Sequence, residues 1–151
     1  MAKEAFFMGD ANVVNPAKAA AVAVVLVAHA PLGSALKAVS EHVFGEPVDL
    51  LVIDMAPGAC AADSTHGLVE QLLNANRGAG VLLLTDLPGA SPANICQDAS
   101  QQLRERNIPC LIVTGLNASM VLRVLNYRSQ NLDTLCQHAI AGGTQTVKQI
   151  D

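Results

Sequence analysis

A histidine, an aspartate and a serine lie where proteins with open α/β sheets place their reactive groups. His29 directly follows the apolar run from Ala19 to Ala28, and a turn of sequence Ala-Pro-Leu-Gly comes after it. Asp86 follows another apolar run, and Ser91 lies five residues further on, where a helix is expected to start. Because ligands of open α/β sheets bind beyond the carboxyl ends of the strands, we expect these three side chains to line one crevice.

The chemistry that such a crevice can perform is phosphoryl transfer. Neutral imidazole is a competent nucleophile near neutral pH, and a carboxylate beside the ring fixes its tautomer and stabilises positive charge on it. We therefore predict that His29 and Asp86 are the catalytic residues. The backbone N–H groups of the loop, the helix start and the serine hydroxyl form a cradle for phosphate, so we predict that its oxygens are bound by Gly89, Ala90 and Ser91.

Purely structural roles would also explain several of these residues. His29 would then be a hydrogen-bonded structural histidine, and Asp86 would cap the loop that follows it. Ser91 is expected to cap the next helix whether or not it also contacts phosphate, since serine is favoured at the N-cap and Pro92 suits the first turn. Asp54 ends another apolar run, and we expect it to be a structural or rim residue.

The cysteines and the remaining histidines are expected to be structural or surface residues. The four cysteines are far apart and form no C-x-x-C pair: Cys60, Cys96, Cys110 and Cys136. Two of them have a histidine nearby, but neither Cys–His spacing is that of a known zinc site. We predict no metal and no other cofactor, and surface positions for His42, His66 and His138.

The composition is that of one globular domain without a nucleic-acid or membrane surface. The chain has 151 residues, of which 51% are hydrophobic and 3% aromatic, and its formal net charge is -4 at pH 7. It has no cluster of lysine and arginine, whereas nucleic acids and anionic membranes need concentrated positive charge. No apolar run reaches the roughly 18 residues of a membrane span, so we expect a soluble, cytoplasmic protein that does not insert into a membrane.

Residues 1–18 show no clear periodicity, and we expect a flexible leader there, followed by one domain of residues 19–151. Two lysines, ten apolar residues and the triplet Ala28-His29-Ala30 together resemble a secretory signal peptide with its cleavage site. Cleavage there would remove the first strand from an otherwise complete sheet. We therefore favour the cytoplasm over secretion.

The elements that hold these residues follow from an alternation of apolar runs and amphipathic stretches. Four runs are apolar on successive residues, which is typical of parallel strands covered on both faces: Val22–Ala28, Val48–Asp54, Gly80–Thr85 and Pro109–Thr114. Five stretches have helical periodicity or helix caps: Leu32–Phe44, Ala61–Asn76, Pro92–Arg106, Ala118–Tyr127 with Asn117 as its cap, and Leu132–Ile150.

This alternation predicts an α/β fold. We expect a single doubly wound domain with a mainly parallel four- to five-stranded sheet flanked by helices. The first and third strands are often neighbours in a small sheet of this kind. Such an order would bring His29 to Asp86.

Four blocks of the sequence and one spacing carry a family resemblance. The blocks are VVLVAHAPLGSALK, VIDMAPG, LLLTDLPGASPANI and TGLNASMVLRVL. The spacing is Asp-x-x-Gly-x-Ser-Pro-x-Asn, matched by Asp86, Gly89, Ser91, Pro92 and Asn94. Together with the histidine of the first strand, they resemble the enzyme IIA component of the mannose-type (mannose/fructose/sorbose) phosphoenolpyruvate-dependent sugar phosphotransferase system. The resemblance extends from Ala21 to the end of the chain.

This resemblance implies a homodimeric phosphocarrier. It implies that His29 accepts a phosphoryl group from the phosphohistidine of a small carrier protein and passes it to a IIB partner. Asp86 would orient the ring, and Ser91 with its loop would hold the phosphoryl oxygens.

The sequence departs from the family at two places. The family usually has glycine directly after the histidine, where this chain has Ala30-Pro31. The family's aspartate loop often carries tryptophan or another large residue and a Gly-Gly pair, where this chain has Pro88-Gly89-Ala90. Both departures touch the rim that docks the partner, so the resemblance leaves the acceptor open.

Three other functions remain as alternatives. The phosphotransfer subunit of a phosphoenolpyruvate-dependent dihydroxyacetone kinase has a similar domain, and its acceptor is a kinase subunit. A standalone regulatory IIA protein would signal through its phosphorylation state without taking part in transport. A nucleotide- or flavin-binding module is disfavoured, because the turn after the first strand has only Gly33 and no glycine-rich fingerprint.

Overall fold

The computed structural model describes residues 20–151. The predicted leader of residues 1–18 lies outside the described residues, as does part of the segment that resembles a signal peptide. Strands and helices alternate in the order β1 (Ala23–His29), α1 (Leu32–Phe44), β2 (Leu51–Met55), α2 (Ala61–Ala75), β3 (Val81–Thr85), α3 (Ser91–Glu105), β4 (Cys110–Val113), α4 (Ala118–Asn126) and α5 (Leu132–Thr144). Each predicted strand and helix is present, with boundaries that differ by a few residues.

The four strands form one all-parallel sheet in the order β2-β1-β3-β4. β1 lies between β2 and β3, in a register that pairs His29 with Met55 and Val27 with Thr85. Asp86, the residue after β3, therefore lies beside the end of β1, as the sequence predicts. The α/β fold with a parallel sheet flanked by helices is confirmed.

The core has two layers, one on each face of the sheet. Successive residues of a strand point to opposite faces, so Val24 and Leu26 pack in one layer and Val25 and Val27 in the other. Helices α1, α4 and α5 cover the first layer, and α2 and α3 cover the second. Because β1 before His29 is buried on both faces, its sequence is continuously apolar and does not alternate.

The ends of two helices differ from the prediction. α5 ends at Thr144 and not at Ile150, because the residues beyond it have no core to pack against: Val147 and Ile150 are 81% and 86% exposed. α3 begins at Ser91, with Ala90 in extended conformation as its N-cap residue and no capping hydrogen bond from a side chain. The expectation that Ser91 caps this helix is therefore wrong, because Ser91 is already its first helical residue.

Helices α4 and α5 approach each other closely through two glycines. Gly142 and Gly143 lie inside α5. A Cβ atom on Gly142 would stand only 2.8 Å from the Cβ of Arg123 in α4, and one on Gly143 only 2.9 Å from Met120. The glycine pair therefore permits the packing of α5 and does not end the helix. None of the helices in residues 20–151 is long and apolar enough to cross a membrane.

Candidate active site

His29 is the last residue of β1, at the carboxyl edge of the sheet. Its side chain is 50% exposed, and its Nδ1 lies 2.7 Å from Oδ2 of Asp86. An ionised carboxylate can only accept hydrogen bonds, so Nδ1 carries the proton and donates it. Nε2 has no hydrogen-bond partner within residues 20–151. The ring is therefore held in the tautomer whose Nε2 lone pair can act as a nucleophile.

Asp86 is the buried member of this pair, with its side chain 9% exposed. Its Oδ2 also accepts a hydrogen bond from the backbone N–H of His29 at 3.0 Å, and its Oδ1 accepts one from Leu87 at 2.9 Å. Burial raises the pKa of Asp86, but the hydrogen bonds from His29 and Leu87 outweigh burial, so the pKa lies below its usual value. The carboxylate is thus ionised at neutral pH, and the structure brings the two predicted catalytic residues into contact.

The loop after β4 holds the backbone on either side of Asp86. The N–H of Gly115 donates to the carbonyl of Asp86 at 2.9 Å, and the N–H of Leu116 donates to the carbonyl of Thr85 at 3.1 Å. Gly115 has φ +84°, a conformation that glycine adopts without strain. Asn117 accepts a backbone hydrogen bond and caps α4, as predicted. The carboxylate therefore projects from a backbone that is hydrogen-bonded to the next loop.

The predicted phosphate cradle is the loop from Leu87 to Ala90 with the start of α3. The N–H of Ala90 donates to the carbonyl of Leu87 at 3.2 Å and closes a turn in which Gly89 has φ +79°. The side-chain amide of Asn94 donates to the carbonyl of Gly89 at 3.3 Å and fixes the turn to the helix. The N–H groups of Gly89 and Ser91 and the Ser91 hydroxyl have no hydrogen-bond partner in the described part of the chain. Two of the three predicted phosphate-binding residues keep free donors, whereas the N–H of Ala90 is used within the turn.

Asp54 fixes the segment that follows His29. Its Oδ1 accepts a hydrogen bond from the N–H of Gly33 at 2.8 Å, and its Oδ2 accepts from the N–H of Ser34 at 3.1 Å and from the Ser34 hydroxyl. Asp54 therefore caps α1 from the neighbouring strand, because the N-cap residue Pro31 has no side chain that can do so. A Cβ atom on Gly33 would stand 2.7 Å from this carboxylate, so the contact requires glycine. The predicted structural or rim role of Asp54 is confirmed, but no pattern in the sequence indicates that the start of α1 is its partner.

The other histidines take no part in these contacts. His42 and His66 are exposed. His138 is half-buried and stacks on Tyr127, with ring centroids 3.9 Å apart. Burial lowers the pKa of His138, and the nearby charge of Arg123 lowers it further. None of the three is therefore a candidate for the nucleophile.

The cysteines are free thiols, and two of them belong to the core. Cys96 and Cys110 are buried, and burial raises the pKa of their thiols to about 12 and about 11. Cys60 is exposed and Cys136 is half-buried. Among residues 20–151, no group of three histidine, cysteine or acidic side chains is placed to hold a metal ion.

A half-exposed histidine, held by a buried carboxylate at the carboxyl edge of a parallel sheet, lies where such folds bind ligands and is placed to act as a nucleophile or base. The family model EIIA-man, described as the PTS system fructose IIA component, matches residues 23–140. The chain belongs to this family, the mannose-type IIA components of the phosphoenolpyruvate-dependent sugar phosphotransferase system, whose members transfer phosphoryl groups in sugar uptake. The resemblance found in the sequence is confirmed.

Solved structures of similar proteins share the fold. The mannose/sorbose-specific IIA subunit of the phosphotransferase system from Enterococcus faecalis has a TM-score of 0.76 and 23% identity, over 87% of this chain and 96% of that one. The phosphotransferase system component EIIA from Streptococcus agalactiae has a TM-score of 0.72 and 21% identity, over 85% and 96%. The IIA protein associated with the fucose utilization operon of Streptococcus pneumoniae has a TM-score of 0.61 and 25% identity, over 81% and 92%. A comparison with curated protein sequences found no match.

Proposed function

We propose that this chain is a phosphocarrier that works through a phosphohistidine. Nε2 of His29 accepts a phosphoryl group from the phosphohistidine of the small histidine phosphocarrier protein and passes it to a IIB component in sugar uptake. The observation that carries this proposal is the 2.7 Å contact between Nδ1 of His29 and Asp86, which favours the tautomer of the neutral ring whose lone pair is on Nε2. Membership of the mannose-type IIA family supports the same conclusion.

The transfer needs no external proton. The lone pair of Nε2 forms a bond to phosphorus while the phosphorus–nitrogen bond of the donor breaks. The donor ring carries a proton on its other nitrogen, so it leaves with that electron pair as a neutral imidazole. The ring of His29 becomes a positively charged phosphoimidazolium. Asp86 compensates that charge through its hydrogen bond to Nδ1, and its lowered pKa keeps it ionised throughout.

The phosphoryl oxygens are held by the turn and by the first residues of α3. The free N–H groups of Gly89 and Ser91 and the serine hydroxyl are the donors for this role, and Ala90 positions them as the N-cap residue between the two. The start of a helix also favours negative charge through its macrodipole. The hydrogen bonds and the partial positive charge at the start of α3 would stabilise the dianionic phosphoryl group without a metal ion.

The oligomeric state and the compartment that we propose are those expected from the family resemblance. We propose a cytoplasmic homodimer, because the sequence resembles a dimeric family and apolar side chains of the described C-terminal residues are exposed, Val147 and Ile150 among them. Sedimentation velocity at several protein concentrations tests the dimer. A monomer at every concentration would contradict it.

The test of the proposed function is the intact mass of the protein after incubation with phosphoenolpyruvate, enzyme I and the small carrier protein. We expect wild type to gain one acid-labile phosphoryl group and His29→Ala to gain none. His66→Ala removes an exposed histidine outside the site and should be phosphorylated like wild type. Failure of wild type to gain mass, in a mixture where the carrier protein itself is phosphorylated, would contradict the proposal.

A further inference from the structure

A cavity lies at the edge of the sheet opposite His29, where β1 and β2 begin. Its volume is about 430 Å³, which is the size of a site for a small organic molecule. β1 has seven residues, so its two ends lie about 20 Å apart. We term this cavity the basal pocket; it is lined by Ala23, Leu50, Gln71 and Asn74 and by three charged residues, Asp49, Arg77 and Arg128.

Two arginines share a single carboxylate in the basal pocket. Nη1 of Arg77 lies 2.8 Å from Oδ2 of Asp49, and Nη2 of Arg128 lies 3.4 Å from the same oxygen. Nη1 of Arg128 also donates to the backbone carbonyl of Asp49. No other charged side chain lines the pocket in residues 20–151. Because a guanidinium group is always protonated, one positive charge in the pocket has no compensating carboxylate.

The two arginines differ in their access to water. The side chain of Arg128 is 22% exposed, whereas that of Arg77 is 58% exposed. Burial lowers the pKa of Arg128. The charge of Asp49 raises it by a smaller amount, so the pKa remains below its usual value. The charge of Arg128 is thus incompletely solvated and would gain from an anionic partner. Arg77 makes one hydrogen bond within the described residues, so its other N–H groups remain available to a ligand.

We propose that the basal pocket binds a small organic anion through a carboxylate or phosphate group held by Arg77 and Arg128. Guanidinium groups bind both kinds of oxyanion, often with two parallel hydrogen bonds. Gln71 and Asn74 supply neutral donors, and the strand starts supply an apolar wall for the body of the ligand. The basal pocket does not include His29, so this binding is independent of the proposed phosphoryl transfer.

The experiment is a titration of the full chain, followed by the amide chemical shifts in ¹H–¹⁵N NMR spectra, with inorganic phosphate in one series and succinate in another. We expect at least one of the two probes to shift the amides of Leu51, Ala75 and Arg128 until the change saturates. Arg77→Gln should weaken that binding about tenfold, because it removes one of the two positive charges that share Asp49, together with the donors of Arg77 that would hold the anion. Arg106→Gln changes the net charge equally at an exposed position at the end of α3, and should leave the affinity unchanged.

The outcomes separate this proposal from the proposed function. Saturation with phosphate alone identifies phosphate compounds as the ligands, and saturation with succinate alone identifies carboxylates. Shifts confined to the amides of Gly89 to Ser91 would overturn the proposal that the basal pocket binds an anion, and they would leave the proposed phosphocarrier function intact. Equal weakening in the two arginine variants would also overturn it, because the effect would then be one of net charge. Unchanged binding in His29→Ala would support the independence of the two sites.

Discussion

Replacing Asp86 with asparagine keeps the shape of the side chain but removes its charge and one of its two acceptor oxygens. In the wild type, Oδ2 accepts from His29 and Oδ1 accepts from Leu87. An asparagine oxygen can face only one of these groups. If its NH₂ faces the ring, the ring must accept at Nδ1 and carry its proton on Nε2, which removes the nucleophile. If its NH₂ faces Leu87, two donors oppose each other and the loop is strained.

The size of the effect follows from the charge of the lost hydrogen bond. A hydrogen bond to a charged group contributes roughly 1.5–3 kcal/mol, against roughly 0.5–1.5 kcal/mol for a neutral one. The difference of about 1–2 kcal/mol acts on the transition state, in which positive charge develops on the ring. At 1.36 kcal/mol for each tenfold change in rate, Asp86→Asn should slow the transfer between about 5-fold and about 30-fold. Any population of the unreactive tautomer slows it further.

The assay is a rapid-quench measurement of phosphoryl transfer from the phosphorylated carrier protein, under single-turnover conditions. Asp98→Asn makes the same change of charge at an exposed position on α3 and should transfer at the wild-type rate. Circular dichroism and thermal unfolding show whether each variant is folded. A folded Asp86→Asn protein that is phosphorylated on His29 at the wild-type rate would refute the orienting role of the carboxylate.

Three further predictions concern stability. Asp54→Ala should lower the free energy of unfolding in urea by about 1–2 kcal/mol, because the N–H groups at the start of α1 lose their acceptor, whereas the exposed Asp98→Ala should change it by less than about 0.5 kcal/mol. Gly142→Ala should lower the free energy of unfolding by about 1–3 kcal/mol, because the new Cβ would lie 2.8 Å from an atom of α4. A Cβ on Gly67 in α2 would have nothing within 4 Å, so Gly67→Ala should be neutral or stabilising in thermal unfolding. The lowered pKa of Asp86 stabilises the folded protein; this stabilisation is fully present above the unfolded-state pKa of about 3.9 and is lost as the pH falls through the folded-state pKa. Urea unfolding at decreasing pH should therefore show a larger loss of unfolding free energy for wild type than for Asp86→Asn.

The sequence predicts the parts of the fold that depend on local patterns. A parallel strand buried on both faces needs apolar residues in succession, and β1 and β3 both have that pattern. The strand ends then located His29 and Asp86, because the parallel arrangement brings the carboxyl ends of all strands to one edge of the sheet. The contact between His29 and Asp86 depended on one further assumption, that β1 and β3 are neighbours, and the sheet order confirms it.

The features that no local pattern predicts depend on contacts between distant parts of the chain. Serine is common at helix N-caps, but the turn before α3 places Ala90 at that position. Residue propensities do not locate the start of a helix to within one residue. The glycine pair in α5 suggests a weak helix until α4 is seen to pack against it. Asp49 and Arg128 are 79 residues apart, and no spacing rule relates a loop before a strand to a turn after a helix.

The measurement that tests the central claim most directly is the NMR spectrum of the ¹⁵N-labelled histidine rings in the phosphorylated protein. We expect a phosphorus–nitrogen coupling on Nε2 of His29 and a proton on Nδ1, because Asp86 holds Nδ1 in the hydrogen bond of 2.7 Å. Phosphorylation on Nδ1 of His29, or on another residue, would contradict it.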